Sequence, residues 1–258
     1  MVIPVMTRQR IRVATYNIHK CRGLDRRVRP QRIVEVLREL DADVLALQEV
    51  FSLPGHAPEE DHAGFIAAEL GLHLAFGKTR RLHGRIYGNA LLARYPLRVI
   101  SNHDLSAGGR EPRCCLHAEL ELPGGDWLHV FNVHLGTAFR ERRRQARKLT
   151  GAEILSPAGL RGPRIVLGDF NEWTRGLTTR LLRERFSTPD VRIHLNRSRT
   201  YPGVLPVFHL DHIYFDPEVR LHSMTLHRNR RSLVASDHLP LVADLSLASP
   251  HRRETSAA

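Results

Sequence analysis

Cysteine is scarce: Cys21, Cys114 and Cys115 are the whole supply. An odd count with two adjacent residues is no disulfide framework. Reduced thiols in a cytoplasmic protein are the simple reading, and no zinc-type spacing occurs. Long apolar runs are also missing. None approaches the roughly 20 residues needed to span a bilayer, and the N-terminus MVIPVMTRQR lacks the apolar region of a signal peptide. Aromatics make up only 6%, with no aromatic-interleaved basic ribbon of the single-strand-binding type. Acid is in short supply too: 27 Asp and Glu face 39 Lys and Arg, for a formal net charge of +12. There is no internal repeat, low-complexity segment or linker, so nothing marks a second domain.

What is present is a globular composition, 42% hydrophobic over 258 residues, enough for one large core. We expect a basic arm over 1–10, a single domain over 11–248 and a loose polar tail over 249–258, in a monomer. The positive surplus suits polyanions: nucleic acid, anionic lipid or a phosphorylated metabolite.

The pattern predicts strands at Ile11–Ile18, Val44–Leu47, Leu72–Phe76, Tyr87–Ala93, Arg98–Leu105, Cys114–Leu122, Trp127–Leu135, Pro163–Leu167, Asp211–Phe215, Val219–Leu226 and Leu239–Leu247. Gln48 and Glu49 terminate the second run. Pro123-Gly124-Gly125 sits between two alternating runs and reads as a hairpin turn. Helices are expected at Pro30–Leu40, where proline suits the first position, and at Glu59–Leu70, Ala138–Leu155 and Leu177–Phe186. The third is strongly basic, with a thin apolar face of Phe139, Ala146, Leu149 and Ile154. Many strands with helices interspersed point to an α/β sandwich of two sheets with helices outside.

The stretch VLGDFNEW, Val166–Trp173, carries the first chemical signal. An apolar run ends in glycine, and continued extension would put Asp169 and Asn171 on one face and Phe170 on the other. A carboxylate and an amide at a strand mouth suit a hard cation, a phosphate or an attacking water. The pattern recurs at other apolar runs: Asn17, Glu49, the pair Asn132 and His134, the pair Asp211 and His212, and Ser236-Asp237-His238.

Six pieces, TYNIHK, LQEV, FNVHLG, GDFNEW, LDHIYF and SDHLPLVADL, occur in an order that resembles the endonuclease/exonuclease/phosphatase superfamily, the DNase I-like metal-dependent phosphoesterases. They lie within residues 11 to 245. The resemblance implies a four-layered α/β sandwich of two mainly antiparallel sheets, with the site at one edge, and phosphoester hydrolysis with Mg²⁺ or Mn²⁺. It makes Glu49 the main metal ligand, with Asn17 beside it and Asp237 contributing. It gives Asp169 and Asn171 the attacking water and a phosphate oxygen. It puts His238 at the scissile phosphate with Asp211 orienting its ring. His134 matches the second active-site histidine of the DNase I-like branch, where abasic-site endonucleases carry tyrosine. His19 stands where those repair enzymes often carry an acid. Asn89 falls at a polar strand end near the cleft.

Those residue types suit the chemistry. Phosphodiester hydrolysis builds negative charge on phosphoryl and leaving oxygens, and catalysis is positioning and neutralisation. Hard oxygen ligands suit Mg²⁺, which keeps several waters and bridges to phosphate. A histidine beside a carboxylate holds its charge and one tautomer. Arg110 and Arg113 are candidate phosphate clamps through their forked donors. Trp173 is a candidate pocket wall, and His212 a sheet support. For substrate, DNA or RNA is slightly favoured over a phospholipid met by peripheral contact, with a non-catalytic polyanion-binding module as the third reading.

Overall fold

The computed structural model describes residues 8–123, 125–157, 160, 162–173, 176–188, 200–202 and 208–248. Eleven strands form two sheets among the described residues. They are β1 (Arg8–Asn17), β2 (Val44–Ser52), β3 (His73–Leu82), β4 (Arg85–Ala93), β5 (Leu97–Asp104), β6 (Cys114–Glu121), β7 (Trp127–His134), β8 (Arg164–Asp169), β9 (Asp211–Phe215), β10 (Arg220–Leu226) and β11 (Leu241–Ala248). The helices are α1 (Pro30–Leu40), α2 (His62–Leu70), α3 (Phe139–Leu149), α4 (Leu177–Arg183) and α5 (Arg230–Ala235).

One sheet runs β10-β11-β1-β2-β4-β3, the other β5-β6-β7-β8-β9. Each has one parallel pair at its centre, β1 with β2 and β7 with β8, and antiparallel pairs elsewhere. Side-chain alternation builds the layers. Val13, Val44, Leu116, Leu128, Ile165 and Leu245 meet between the sheets. Ala14, Tyr16, Leu45 and Leu47 point the other way, onto Ile33, Val36 and Leu37 of α1 and Ile66 of α2. Phe131, Val133, Val166 and Phe170 pack beneath Leu149 of α3 and Leu182 of α4. Each such aliphatic side chain, fully buried, contributes roughly 1.5–3 kcal/mol. The result is the expected four-layered sandwich.

The bounds differ from expectation in instructive places. The run Val44–Leu47 does not stop at Gln48 and Glu49 but continues to Ser52. A bulge absorbs the two polar residues, since the pairing with β4 shifts register between Leu47 and Val50. β3 outruns the expected Leu72–Phe76, because its polar second half still pairs with β4. α2 begins at His62 rather than Glu59, where the Asp61 carboxylate accepts from Gly64 N and caps it. α3 ends at Leu149, short of Leu155. Its inward face is also unlike the expected one: Phe139 is 58% exposed, while Glu141, Arg142 and Gln145 are buried beside Ala146 and Leu149. Those polar side chains are tied down locally. Gln145 accepts from Gly136 N (2.8 Å), and Arg142 donates to Gly136 O (3.2 Å). β1 starts at Arg8, so the last three residues of the expected arm lie in the sheet. The tail 249–258 lies outside the described residues.

The topology positions the site. β1, β2, β7 and β8 end at Asn17, the bulge before Ser52, His134 and Asp169. β9, antiparallel to β8, begins at Asp211 opposite Asp169. His238 lies three residues before β11, which is antiparallel to β1. Six chain segments therefore deliver their polar ends to one edge of the sandwich.

Candidate active site

Asp169 is the centre. Gly168, just before it, has φ +148°, and a Cβ there would lie 1.9 Å from Val133 O. Only glycine lets β8 approach β7 so closely. Asn17 Nδ2 donates to Asp169 Oδ2 (3.0 Å) and to Glu49 Oε1 (3.3 Å), joining strand ends from both sheets. Asp169 Oδ2 also faces His134 Nε2 at 3.6 Å and His238 Nε2 at 3.8 Å. Its other oxygen accepts from Asn171 N (2.9 Å). The strand does not extend to Asn171 as the sequence suggested: Asn171 is left-handed, φ +48°, and its amide donates to Leu135 O (2.9 Å). Phe170 does turn away, into the layer under α3 and α4.

His238 Nδ1 donates to Asp211 Oδ2 at 2.9 Å, and both side chains are buried. The Asp211 Oδ1 atom is buried without a partner. Burial pulls the His238 pKa down, but Asp211 and Asp169 overcome it and raise it to about 10. His134 goes the other way, to about 4, through burial and the neighbouring Arg113 charge. One histidine is thus held cationic and the other neutral. Burial raises the Asp169 carboxyl above its ordinary value against the pull of both histidines.

Glu49 sits on the β2 bulge with φ +57°, a strained backbone for a residue with a side chain. The bulge keeps Gln48 buried between the sheets while turning Glu49 to the cleft. Lys20, on a short 3-10 turn at His19–Cys21, places its ammonium on Glu49 Oε2. Burial would raise the Glu49 carboxyl, but Lys20 and His134 bring it down to about 2. Asp237 faces His19 Nδ1 (3.5 Å) and Ser236 Oγ (3.3 Å). Ser236 also donates to Asn17 O (2.8 Å), pinning this segment to the end of β1. Burial raises the Tyr201 hydroxyl above its ordinary value, with the Asp237, Asp169 and Glu49 charges adding to it.

Among the described residues, no three or more His, Cys, Asp or Glu side chains converge to cage an ion. Mg²⁺ does not require a cage: one or two carboxylates, waters and a substrate phosphate suffice. The donor set fits on that basis. Glu49 is an ionised carboxylate that already holds a cation, the Lys20 ammonium, with the Asn17 amide beside it.

The remaining expected residues divide. Arg113 is buried at the cleft, bridged to Glu111 Oε2 (3.0 Å), while Glu111 Oε1 binds Arg80 (2.6 Å). Arg110 is 56% exposed and lies 3.9 Å from Glu141, at the rim. Asn89 is buried, its amide donating to Cys114 O (3.4 Å) and Asn132 O (3.5 Å), so it ties the sheets together. Asn132 is likewise spent on the inter-sheet contact, with Gln48, Leu47 O and Ala90 O. His212 packs on Phe170 and Tyr214, away from the cleft, as a sheet support. Trp173 meets Phe208 (4.5 Å) and Tyr201 (5.9 Å), and it is Tyr201 that lies 4.8 Å from the His238 ring. Lys20 closes the TYNIHK piece without being singled out there, and Tyr201 lies in no motif. Glu172 does lie in one, and its carboxylate accepts from Thr178 N and Thr179 N to hold α4.

The comparisons agree with this fold. The model of the endonuclease/exonuclease/phosphatase family matches residues 14–238. The uncharacterized protein YbhP of Escherichia coli (strain K12) is 33% identical, over 95% of this chain and 100% of its own. The solved endonuclease/exonuclease/phosphatase from Beutenbergia cavernae superposes with a TM-score of 0.74 at 23% identity, over 94% of this chain and 72% of that one. The mannosyl-6-phosphatase of Bacteroides thetaiotaomicron does so at 0.70 and 17%, over 91% and 99%. The chain belongs to the endonuclease/exonuclease/phosphatase family of hydrolytic phosphoesterases.

Proposed function

We propose that this chain hydrolyses phosphodiester bonds with the help of Mg²⁺ or Mn²⁺. The observation that carries the reading is the His238–Asp211 pair facing Asp169, with the Asn17 amide of the other sheet donating to both Asp169 and Glu49. A divalent ion bound at Glu49, with Asn17 beside it and Asp237 contributing, would neutralise charge on the phosphate.

The chain's own groups do the rest. Asp169, with its raised pKa, orients a water and takes its proton as the water oxygen bonds to phosphorus. Asn171 is the candidate neighbour for a phosphoryl oxygen. His238, held cationic by Asp211, balances the developing charge and gives its proton to the leaving oxygen as that P–O bond breaks. Solvent then returns the proton from Asp169 to His238, so one water is consumed. Arg113 adds positive charge beside His134.

A polynucleotide substrate has one feature in its favour. α3 opens five residues after His134 and exposes Arg140, Arg143, Arg144, Arg147 and Lys148, none in an ion pair among the described residues. The test of the reaction is turnover of bis-p-nitrophenyl phosphate with Mg²⁺ or Mn²⁺, and its loss in chelator. Failure under every divalent metal would leave a polyanion-binding module instead.

A further inference from the structure

We infer that the segment 22–29 and α5 form a knuckle that seats the cleft on an anionic lipid surface, so that the phosphoester cleaved is carried by a lipid. The substrate half of this inference rests on the phosphoesterase reading above; the docking half does not.

The segment folds on itself directly after the turn that carries His19 and Lys20. Arg22 pairs with Val28 in an antiparallel bridge, and Gly23 N donates to Arg27 O (3.0 Å). Leu24 N then donates to Val234 O (3.1 Å), which clips the segment to α5. A Cβ on Gly23 would lie 2.5 Å from that same oxygen, so a side chain there would push the two apart. The clip brings Leu24 to Val234, Val28 lies across the bridge from Arg22, and all three aliphatic side chains meet water: Leu24 is 44% exposed, Val28 42% and Val234 36%.

Arginine surrounds them. Arg22, Arg26, Arg27, Arg29, Arg228 and Arg230 are exposed, and none is in an ion pair among the described residues. The one acid of the segment, Asp25, is already held by both terminal nitrogens of Arg32 (2.9 and 2.6 Å). The knuckle therefore exposes three aliphatic side chains among strongly positive ones.

Its place matters as much as its composition. At one end it continues into Lys20, which sits on Glu49. At the other, α5 runs into Ser236, Asp237 and His238. A surface that binds the knuckle borders the mouth of the cleft. Aliphatic side chains sunk to the acyl boundary with arginines at headgroup level is the arrangement of an interfacial anchor. Charge alone would serve a nucleic acid equally, but Leu24, Val28 and Val234 offer a base no π face to stack on. The net charge of +12 supports the anionic choice. In the reaction, water bonds to the lipid phosphorus as the ester P–O bond breaks. The alcohol and the phosphate product share the two protons of that water.

The test is flotation of the full chain with phosphatidylglycerol/phosphatidylcholine vesicles and with phosphatidylcholine alone, without substrate turnover. The mixed vesicles should capture the protein at low salt and the neutral ones should not. The Leu24→Ser/Val28→Ser/Val234→Ser variant should bind about tenfold more weakly or worse. Arg26→Gln and Arg27→Gln should each cost about fivefold. Both sets should keep wild-type turnover of bis-p-nitrophenyl phosphate. Absence of capture by the mixed vesicles, or full capture of the triple-serine variant, overturns the inference. So does an equal loss of single-stranded RNA binding in that variant, which would make the surface a nucleic-acid one. No turnover of the soluble ester by any form would sink the phosphoesterase reading while leaving the flotation result to stand.

Discussion

The His238 ring gives its Nδ1 proton to Asp211 at 2.9 Å, and this bond decides which nitrogen faces Asp169. Asp211 is fully buried, so the pair is not diluted by solvent. Asp211→Asn keeps the shape and removes the charge. We expect kcat to fall about 10²-fold or more with KM little changed. Steady-state kinetics on the soluble diester measures this, and wild-type kcat would detach Asp211 from the mechanism.

Asp169→Ala and His238→Ala should each abolish hydrolysis, a cost of about 10²–10³ in rate or more. The circular dichroism spectrum should be retained, since neither side chain belongs to an apolar core. Near-normal turnover in either purified variant removes that residue from its assigned role.

A divalent ion bound at Glu49, as proposed, would compete with Lys20 for that carboxylate. Lys20→Ala should therefore bind Mn²⁺ several-fold more tightly, about 1 kcal/mol for relief of one part-exposed pair. Calorimetric titration of Mn²⁺ decides it. Weaker binding in the variant would mean that Lys20 helps the ion rather than standing in for it.

Acid should destabilise the fold before the carboxylates titrate. Burial, with help from His129 and His103, pulls His117 to about 3, and burial pulls His62 to about 4. Both lie below the ordinary value near 6.5, so the unfolded chain binds the extra protons. Stability is then lost progressively as pH falls from about 6.5 toward those values, by up to about 1.4 kcal/mol per pH unit per histidine. His117 stacks on Phe131 at 4.0 Å, so His117→Phe suits the site. Urea midpoints should fall less between pH 7 and pH 5 in that variant than in the wild type.

Gly168→Ala should lower stability by about 2–4 kcal/mol, because the backbone is left-handed and the new methyl meets Val133 O. Activity should drop as well, since relief requires moving Asp169. Thermal unfolding reads the first effect, and an unchanged midpoint would contradict the close approach of β7 and β8.

The amino-acid sequence by itself determined much of this architecture, because its signals are local. Pro30 and the 3.6-residue spacing of Ile33, Val36, Leu37 and Leu40 set α1 at its observed bounds. Alternation around Pro123-Gly124-Gly125 set the β6–β7 hairpin. Polar residues at apolar strand ends pointed to Asn17, Glu49, His134, Asp169, Asp211 and His238, and all six border one edge of the sandwich. The signal failed where a residue's duty depends on what lies opposite. Asn132 stands in the same segment as His134, yet it is consumed between the sheets, while Gln48 faces inward only because a bulge rotates Glu49 outward. Arg142 and Gln145 lie outside the expected apolar face of α3 and are nonetheless buried, since their partners are the backbone of the preceding loop.

Convergence was decided by the tertiary structure alone. Asn17 and Asp169 are 152 residues apart, and no periodicity in either segment encodes a 3.0 Å hydrogen bond between them. That contact exists because two parallel strand pairs, one in each sheet, pack with their C-terminal ends at the same edge. Lys20 on Glu49, Tyr201 on His238 and Leu24 beside Val234 follow from the same packing. Local patterning chooses the elements, whereas the burial of both sheet faces chooses which of their ends meet.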